Sequence, residues 1–167
     1  FGMITDYGPY TDVNGRNQFK AFITNLLNHT NQITGVAYKD DPSIMMWELA
    51  NEPRIANGFA DWVDDIASHI KSLAPNHLVS IGMESSFNFN SSGDDYATLK
   101  SLNSNPNIDA ISAHIYPTWW NMTDAETIGN FELLAQLGRE LDKPTYIGEF
   151  SWPANVKRPA GQEDSAA

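Results

Sequence analysis

Between Asn17 and Leu27 the apolar residues Phe19, Phe22, Ile23, Leu26 and Leu27 recur at the three- and four-residue spacing of one helical face. That spacing predicts an amphipathic helix. Lys39-Asp40-Asp41-Pro42 then turns the chain, and Ser43 to Leu49 runs through Ile-Met-Met-Trp with little polar alternation. A strand buried on both faces, as in a parallel sheet, reads this way. A second helical face follows in Phe59, Trp62, Val63, Ile66, Ile70 and Leu73, stopped at Ala74-Pro75-Asn76 because proline cannot continue the hydrogen-bond ladder. Leu78 to Ile81 predicts a second strand. Residues 85–95, rich in Ser, Asn, Gly and Asp, read as a loop, and Tyr96, Leu99 and Leu102 suggest a short helix before a third strand at Ile108 to Ile115. Thr123-Asp-Ala-Glu126 has the spacing of a capping box, and Ile128, Phe131, Leu134, Ala135 and Leu141 carry the helix that it opens. That helix ends at Asp142-Lys143-Pro144, and Thr145 to Phe150 is the fourth strand. Beyond Val156 the chain has charge, Pro, Gly and Ala but no periodicity, which predicts an irregular tail.

Four strands separated by helices are the signature of parallel βαβ units. An open doubly wound sheet and a portion of a (β/α)8 barrel both fit this alternation, and no internal repeat or linker divides the chain. Composition narrows the partners. With 10 Lys and Arg against 21 Asp and Glu, the net charge is −11, the wrong sign for neutralising phosphates, so nucleic acid and anionic membranes drop out as main partners. No apolar run approaches the roughly 18 residues that a membrane helix needs. The absence of cysteine excludes a thiolate nucleophile and a Cys-ligated zinc. The 41% of apolar residues suffice for a sizeable core without disulfides.

The first strand runs out into Ala50-Asn51-Glu52-Pro53-Arg54 and the fourth into Gly148-Glu149-Phe150. Each puts a carboxylate at the C-terminal end of a parallel strand, the edge where α/β folds gather their sites. Two facing carboxylates are the minimum equipment for glycoside hydrolysis, while solvated loop acids are the plainer reading of the same residues. Trp119, Trp120 and Trp152 lie just beyond strand ends, where indoles could stack on the apolar faces of sugar rings, whereas Trp47 lies within a strand and reads as core. Glu48 shares strand parity with Glu52 and points to the barrel interior as a structural group, with Arg54 as a possible neighbour. Glu84, at the end of the second strand, either touches substrate or is a loop acid. No metal site and no cofactor site stand out: His29, His69, His77 and His114 lack the i, i+4 pairing or clustered carboxylates of zinc hydrolases, and no Gly-rich phosphate loop follows a strand.

The segment from Tyr38 to Arg54 resembles the fourth-strand segment of the family 5 glycoside hydrolases, most closely their fungal and plant-type endo-β-mannanases. His114-Ile115-Tyr116-Pro117 and Gly148-Glu149-Phe150 are similar to that family's sixth- and seventh-strand motifs, in the same order. Phe1-Gly2-Met3 through Tyr7 looks like the segment after its third strand. The resemblance implies an α/β fold comprising part of a (β/α)8 TIM barrel, about strands four to seven, with residues 1–156 a partial catalytic domain and 157–167 the irregular tail. It implies Glu52 as general acid and base and Glu149 as nucleophile of a retaining, double-displacement mechanism, in which the carboxyls stand roughly 5 to 5.5 Å apart. It further implies that Asn51 binds the sugar 2-hydroxyl, that His114 lines the subsite near the acid, and that Tyr116 hydrogen-bonds the nucleophile. From the residues alone, Asn51 could instead cap the next helix, His114 could be a satisfied core histidine, and Tyr116 a packed strand-end aromatic.

The implied substrate is a β-1,4-linked mannan-type polysaccharide. A β-1,4-glucanase, or a non-catalytic carbohydrate-binding remnant, are the alternatives. A secreted, extracellular location follows from the resemblance, and the acceptor pattern at Asn28-His-Thr30, Asn90-Ser-Ser92 and Asn121-Met-Thr123 supports it weakly. A complete barrel takes about 250 residues and eight strands. A chain that opens on Phe1 and supplies four strands reads as a truncated or processed piece. Its uncovered sheet edges predict marginal stability and self-association.

Overall fold

Residues 10–87 and 95–151 are described by a computed structural model. Along them run α1 (Val13–Leu27), a 3-10 turn (Tyr38–Asp40), β1 (Met46–Glu48), α2 (Phe59–Leu73), β2 (Leu78–Ser80), α3 (Tyr96–Asn103), β3 (Ile111–Ile115), α4 (Asp124–Leu141) and β4 (Thr145–Phe150). β1 and β2 pair in parallel with Trp47 opposite Val79, and β3 and β4 pair in parallel with Ser112 opposite Tyr146. The two pairs are tied to each other by backbone bonds from Asp109 N to Val79 O (2.8 Å) and from His114 N to Glu84 O (2.8 Å). The strand order is therefore β1-β2-β3-β4, each step crossed by a helix, as the alternating pattern predicts for part of a (β/α)8 barrel.

The helices pack as neighbours in an outer layer. α2 buries Phe59, Trp62, Val63, Ile66 and Ile70, the face read from its periodicity, against α1 and the strands. Tyr10 meets Phe59 and Trp62 edge-on at ring-centroid distances of 4.9 and 5.3 Å, while Phe19 of α1 stacks on Trp62 at 6.0 Å. At the rim of this contact Lys20 Nζ reaches Asp65 at 2.8 Å, and the Thr24 hydroxyl meets His69 Nε2 at 2.9 Å. Asp12 caps α1 by accepting from Asn14 N, and Asp95 caps α3 by accepting from Thr98 N. The capping box at α4 is complete: Thr123 Oγ1 accepts from Glu126 N at 3.3 Å, and Glu126 Oε2 accepts from Thr123 N at 2.7 Å.

Three sequence expectations need correction. β1 is not buried on both faces: Glu48 is exposed, Met46 and Trp47 are half-buried, and Met45 beside it is 69% exposed, because β2 alone pairs with it among the described residues. Trp47 still packs against the core, with its indole N–H donated to His77 Nδ1 at 2.8 Å. Second, α4 packs Phe131, Leu134 and Leu141 on the core as read, but its buried face extends to other residues and leaves Ile128 out. Thr127, Asn130, Leu134, Leu137 and Gly138 are buried while Ile128 is 52% exposed, since Thr127 satisfies its hydroxyl on Thr123 O (2.9 Å) and can be buried at little cost. Third, Phe22 of α1 stays 53% exposed, away from the α2 contact. The tail after Val156, the boundary at 156/157, the segment Phe1 to Tyr7 and the 88–94 part of the Ser/Asn-rich loop lie outside the described residues.

Helices α3 and α4 are joined by Lys100 Nζ and Glu140 Oε2 at 2.8 Å. Hydrogen bonds from Lys100, then from Gln136, hold the Glu140 carboxyl down at about 2, against an ordinary value of 4.5. The stabilisation carried by a depressed carboxyl is present above pH 4.5 and is lost as pH falls toward 2. Denaturant midpoints across this range should therefore fall less steeply for Glu140→Gln than for the unaltered chain.

Candidate active site

The backbone beyond β1 carries Glu52 across the end of β2. Leu49 N bonds to Ser80 O at 3.0 Å and Glu52 N to Gly82 O at 2.8 Å, so pairing continues past both strand ends. The approach depends on Gly82 (φ +81°), where an added Cβ would lie 2.0 Å from Ala50 O. Glu52 itself has φ +48°, a left-handed conformation that costs a residue with a Cβ about 1 to 2 kcal/mol. Such a kink turns the Glu52 side chain out of the strand's alternation and toward β3.

There it meets His114. The imidazole, 1% exposed, has Nδ1 2.9 Å from Glu52 Oε1 and 3.6 Å from Glu149 Oε1. Carboxylate oxygens of Glu52 and Glu149 and a ring nitrogen of His114 all lie within 4.8 Å of one another. One oxygen of each carboxylate thus lies within 4.8 Å of one of the other. These three residues offer donor atoms that could coordinate a cation, a convergence that chain spacing does not reveal. The imidazole hydrogen bond to Glu52 and the Tyr116 bond to Glu149 hold the two carboxylates in place.

Glu149 is held from its other side by the Tyr116 hydroxyl, which donates to Oε2. That hydrogen bond, then burial and the surrounding negative charge, push the Tyr116 hydroxyl up to about 12, so it remains a donor wherever carbohydrate chemistry is run. Tyr116 stacks on Trp119 at a centroid distance of 4.7 Å and an interplanar angle of 11°, and meets Trp120 edge-on at 6.0 Å. Trp119 is 72% exposed, whereas Trp120 packs partly against the core.

The remaining sequence candidates divide. Asn51 is exposed beside Glu52, and the following helix begins after Gly58, so Asn51 does not cap it. Glu84, in the loop after β2, is not a solvated acid: it is 7% exposed, ion-paired to Arg54 Nη1 through Oε2, and its carbonyl takes the His114 N–H. Arg54 is therefore the partner of Glu84 and not of Glu48. Glu48 instead accepts from the Tyr146 hydroxyl, a contact between the first and last strands that crosses the concave side of the sheet. Burial, then the bond to Glu48, raises Tyr146 well above the usual phenol range. Trp152 lies outside the described residues. Sequence reasoning missed Tyr146 and Gly148, and a glycine inside a strand next to a strand-end glutamate was the available signal.

A βα repeat with two glutamates converging at the C-terminal ends of its strands defines the class of α/β-barrel glycoside hydrolases. The model of the glycoside hydrolase family 5 β-mannosidase-like proteins matches residues 5–154, and the chain belongs to that family. It is 36% identical over 168 residues to mannan endo-1,4-β-mannosidase 1 of Arabidopsis thaliana, a match covering 84% of this chain and 40% of the relative. To mannan endo-1,4-β-mannosidase 1 of Oryza sativa subsp. japonica it is 31% identical over 175 residues, covering 90% and 40%. Among solved structures, the endo-β-1,4-mannanase from Thermotoga petrophila superposes with a TM-score of 0.77 at 32% identity, over 89% of this chain and 37% of that one. The family 5 mannosidase from Rhizomucor miehei gives 0.69 at 30%, over 85% and 36%. The chain thus spans about two fifths of the curated relatives it matches.

A raised tyrosine stabilises the fold fully below pH 10 and loses that contribution as pH rises through about 12. Unfolding midpoints followed from pH 10 upward should show a component that Tyr116→Phe removes.

Proposed function

We propose that this chain carries the acid/base and nucleophile of a retaining endo-β-1,4-mannanase. The observation that carries the reading is the convergence of Glu52 and Glu149 to within 4.8 Å with His114 between them. In the first step Glu149 attacks the anomeric carbon while Glu52 gives its proton to the leaving glycosidic oxygen, forming a glycosyl-enzyme ester. In the second, Glu52 takes a proton from water, whose oxygen displaces Glu149 and returns the carboxylate. The Tyr116 hydroxyl donates to Glu149 and favours its ionised form before attack and on departure. His114 can donate Nδ1–H to Glu52 once that group has lost its proton. Asn51 is the candidate donor to the 2-hydroxyl, and the outer face of Trp119 the candidate stacking surface. Glu84, through its pair with Arg54, shapes the same rim.

Mannan is preferred over glucan as substrate because the relatives and solved neighbours are mannan-acting by name. An extracellular place of action accompanies a polymeric substrate, and the acceptor asparagines Asn28 and Asn121 are both exposed. Reducing-sugar release from β-mannan, with soluble cellulose beside it, is the test. Glu149→Ala should abolish release, and Glu52→Gln should lower it by about a hundredfold to ten-thousandfold. Release from cellulose in preference to mannan overturns the substrate assignment, and mannan binding without turnover in the unaltered chain favours a binding remnant.

Self-association through the sheet edges is part of the same reading. β1 and β4 each pair on one side among the described residues, and Met45 and Phe150 are both 69% exposed. Light scattering after size exclusion should find oligomers of this chain. A monodisperse monomer with a sharp cooperative melt would contradict it.

A further inference from the structure

The pairing of β3 with β4 changes register once. Ile111, Ser112 and Ala113 lie opposite Thr145, Tyr146 and Ile147, but His114 lies opposite Glu149 and Ile115 opposite Phe150. Gly148 is therefore the extra residue of a β-bulge. Side chains alternate along a regular strand, so Glu149 would share a face with Ile147 and turn away from Ser112 and His114. One inserted residue inverts that parity. Glu149 moves to the face of Tyr146, Ser112 and His114, the face on which Glu52 arrives.

The same residue makes room for the histidine. A Cβ at Gly148 would lie 2.9 Å from His114 Nε2, closer than real Cβ contacts run, and a tight 3.2 Å from Cδ2. The imidazole is 1% exposed, so it has no solvent side into which to retreat. A shift of the ring across the strand relieves the contact and moves Nδ1 relative to Glu52 at 2.9 Å and Glu149 at 3.6 Å.

We propose that Gly148 is a positioning residue: the side chain it lacks is the seat of the His114 ring, and its bulge aims Glu149 at the same point, so one glycine sets the Glu52–His114–Glu149 geometry. The inference rests on the reading of these glutamates as the reacting pair. Its structural half stands without turnover.

The experiment is Gly148→Ala, read first by nitrogen-resolved NMR of the His114 ring. The His114 Nδ1 resonance should move away from its hydrogen-bonded position, while Gly129→Ala, whose added Cβ meets nothing within 4 Å, leaves it in place. In mannan hydrolysis Gly148→Ala should lower kcat by about a hundredfold with KM nearly unchanged, the scale of loss for a reacting group misplaced by about 1 Å. A double-mutant cycle separates seat from simple backbone strain. The stability loss of Gly148→Ala should disappear in the His114→Ala background, because the ring it collides with is gone. Additive losses, or a His114 signal unmoved in Gly148→Ala, would overturn the proposal. Should Gly148→Ala alone not fold, recovery of a cooperative melt in the double variant supports the seat and failure to recover sinks it. A chain with no hydrolysis at all would count against the function reading, and the NMR and the cycle would still decide this one.

Discussion

A buried imidazole between two carboxylates is the contact around which the rest is arranged. Burying a polar ring is unfavourable unless its nitrogens are satisfied, and here Nδ1 is satisfied by Glu52 at 2.9 Å, with Glu149 at 3.6 Å beside it. Glu52 and His114 are 62 positions apart in the chain, so neither can reach the other until β1, β2 and β3 have come into line. The hydrogen bond is thus both a product of the sheet and a gauge of it. A sheet displaced by one residue at either strand would point the carboxyls to opposite faces.

Local backbone departures supply the fine adjustment. Glu52 leaves β1 in a left-handed conformation, anchored by its N–H on Gly82 O. Glu149 reaches its place through the extra residue in β4. Regular strands carry the two glutamates to the same edge of the sheet, and these two irregularities turn them toward each other. Strain of this kind concentrates at sites because regular geometry seldom satisfies a chemical separation, and it persists only where packing fixes it. Here the fixing elements are the buried runs Ile81–Phe87 and Ile111–Ile115, together with the Arg54–Glu84 pair.

Below that edge, the concave side of the sheet is polar where strands meet across it. Tyr146 donates to Glu48, with the Ser80 and Ser112 hydroxyls close enough to its phenolic oxygen to oppose the rise caused by burial. In a closed barrel such side chains form layers within the interior. Among the described residues Glu48 is exposed even so.

The order of elements was legible in sequence because it depends on local periodicity: α2 shows its buried face residue by residue, and Thr145 to Phe150 is a strand with the bounds its pattern suggests. The candidate glutamates were legible too, as carboxylates at strand ends within motifs that resemble those of a family. Periodicity failed where a neighbour decided burial. β1 reads as fully buried yet has one partner among the described residues, and α4 turns Thr127 and Asn130 inward while Ile128 faces out. Arg54 with Glu84 and Glu48 with Tyr146 were beyond sequence, while Tyr116 with Glu149 and His114 near Glu52 came only through the resemblance, since each pair joins residues far apart in the chain. Strand parity even misleads at Glu149, since a bulge is a property of two paired strands and leaves in either one alone only a glycine. Sequence by itself determined which segments become helix or strand and which acids end them, because those depend on neighbours a few residues away. Tertiary structure alone decided which acids meet, because hydrogen-bond distances of 3 Å are set by the register and curvature of strands brought together from across the chain.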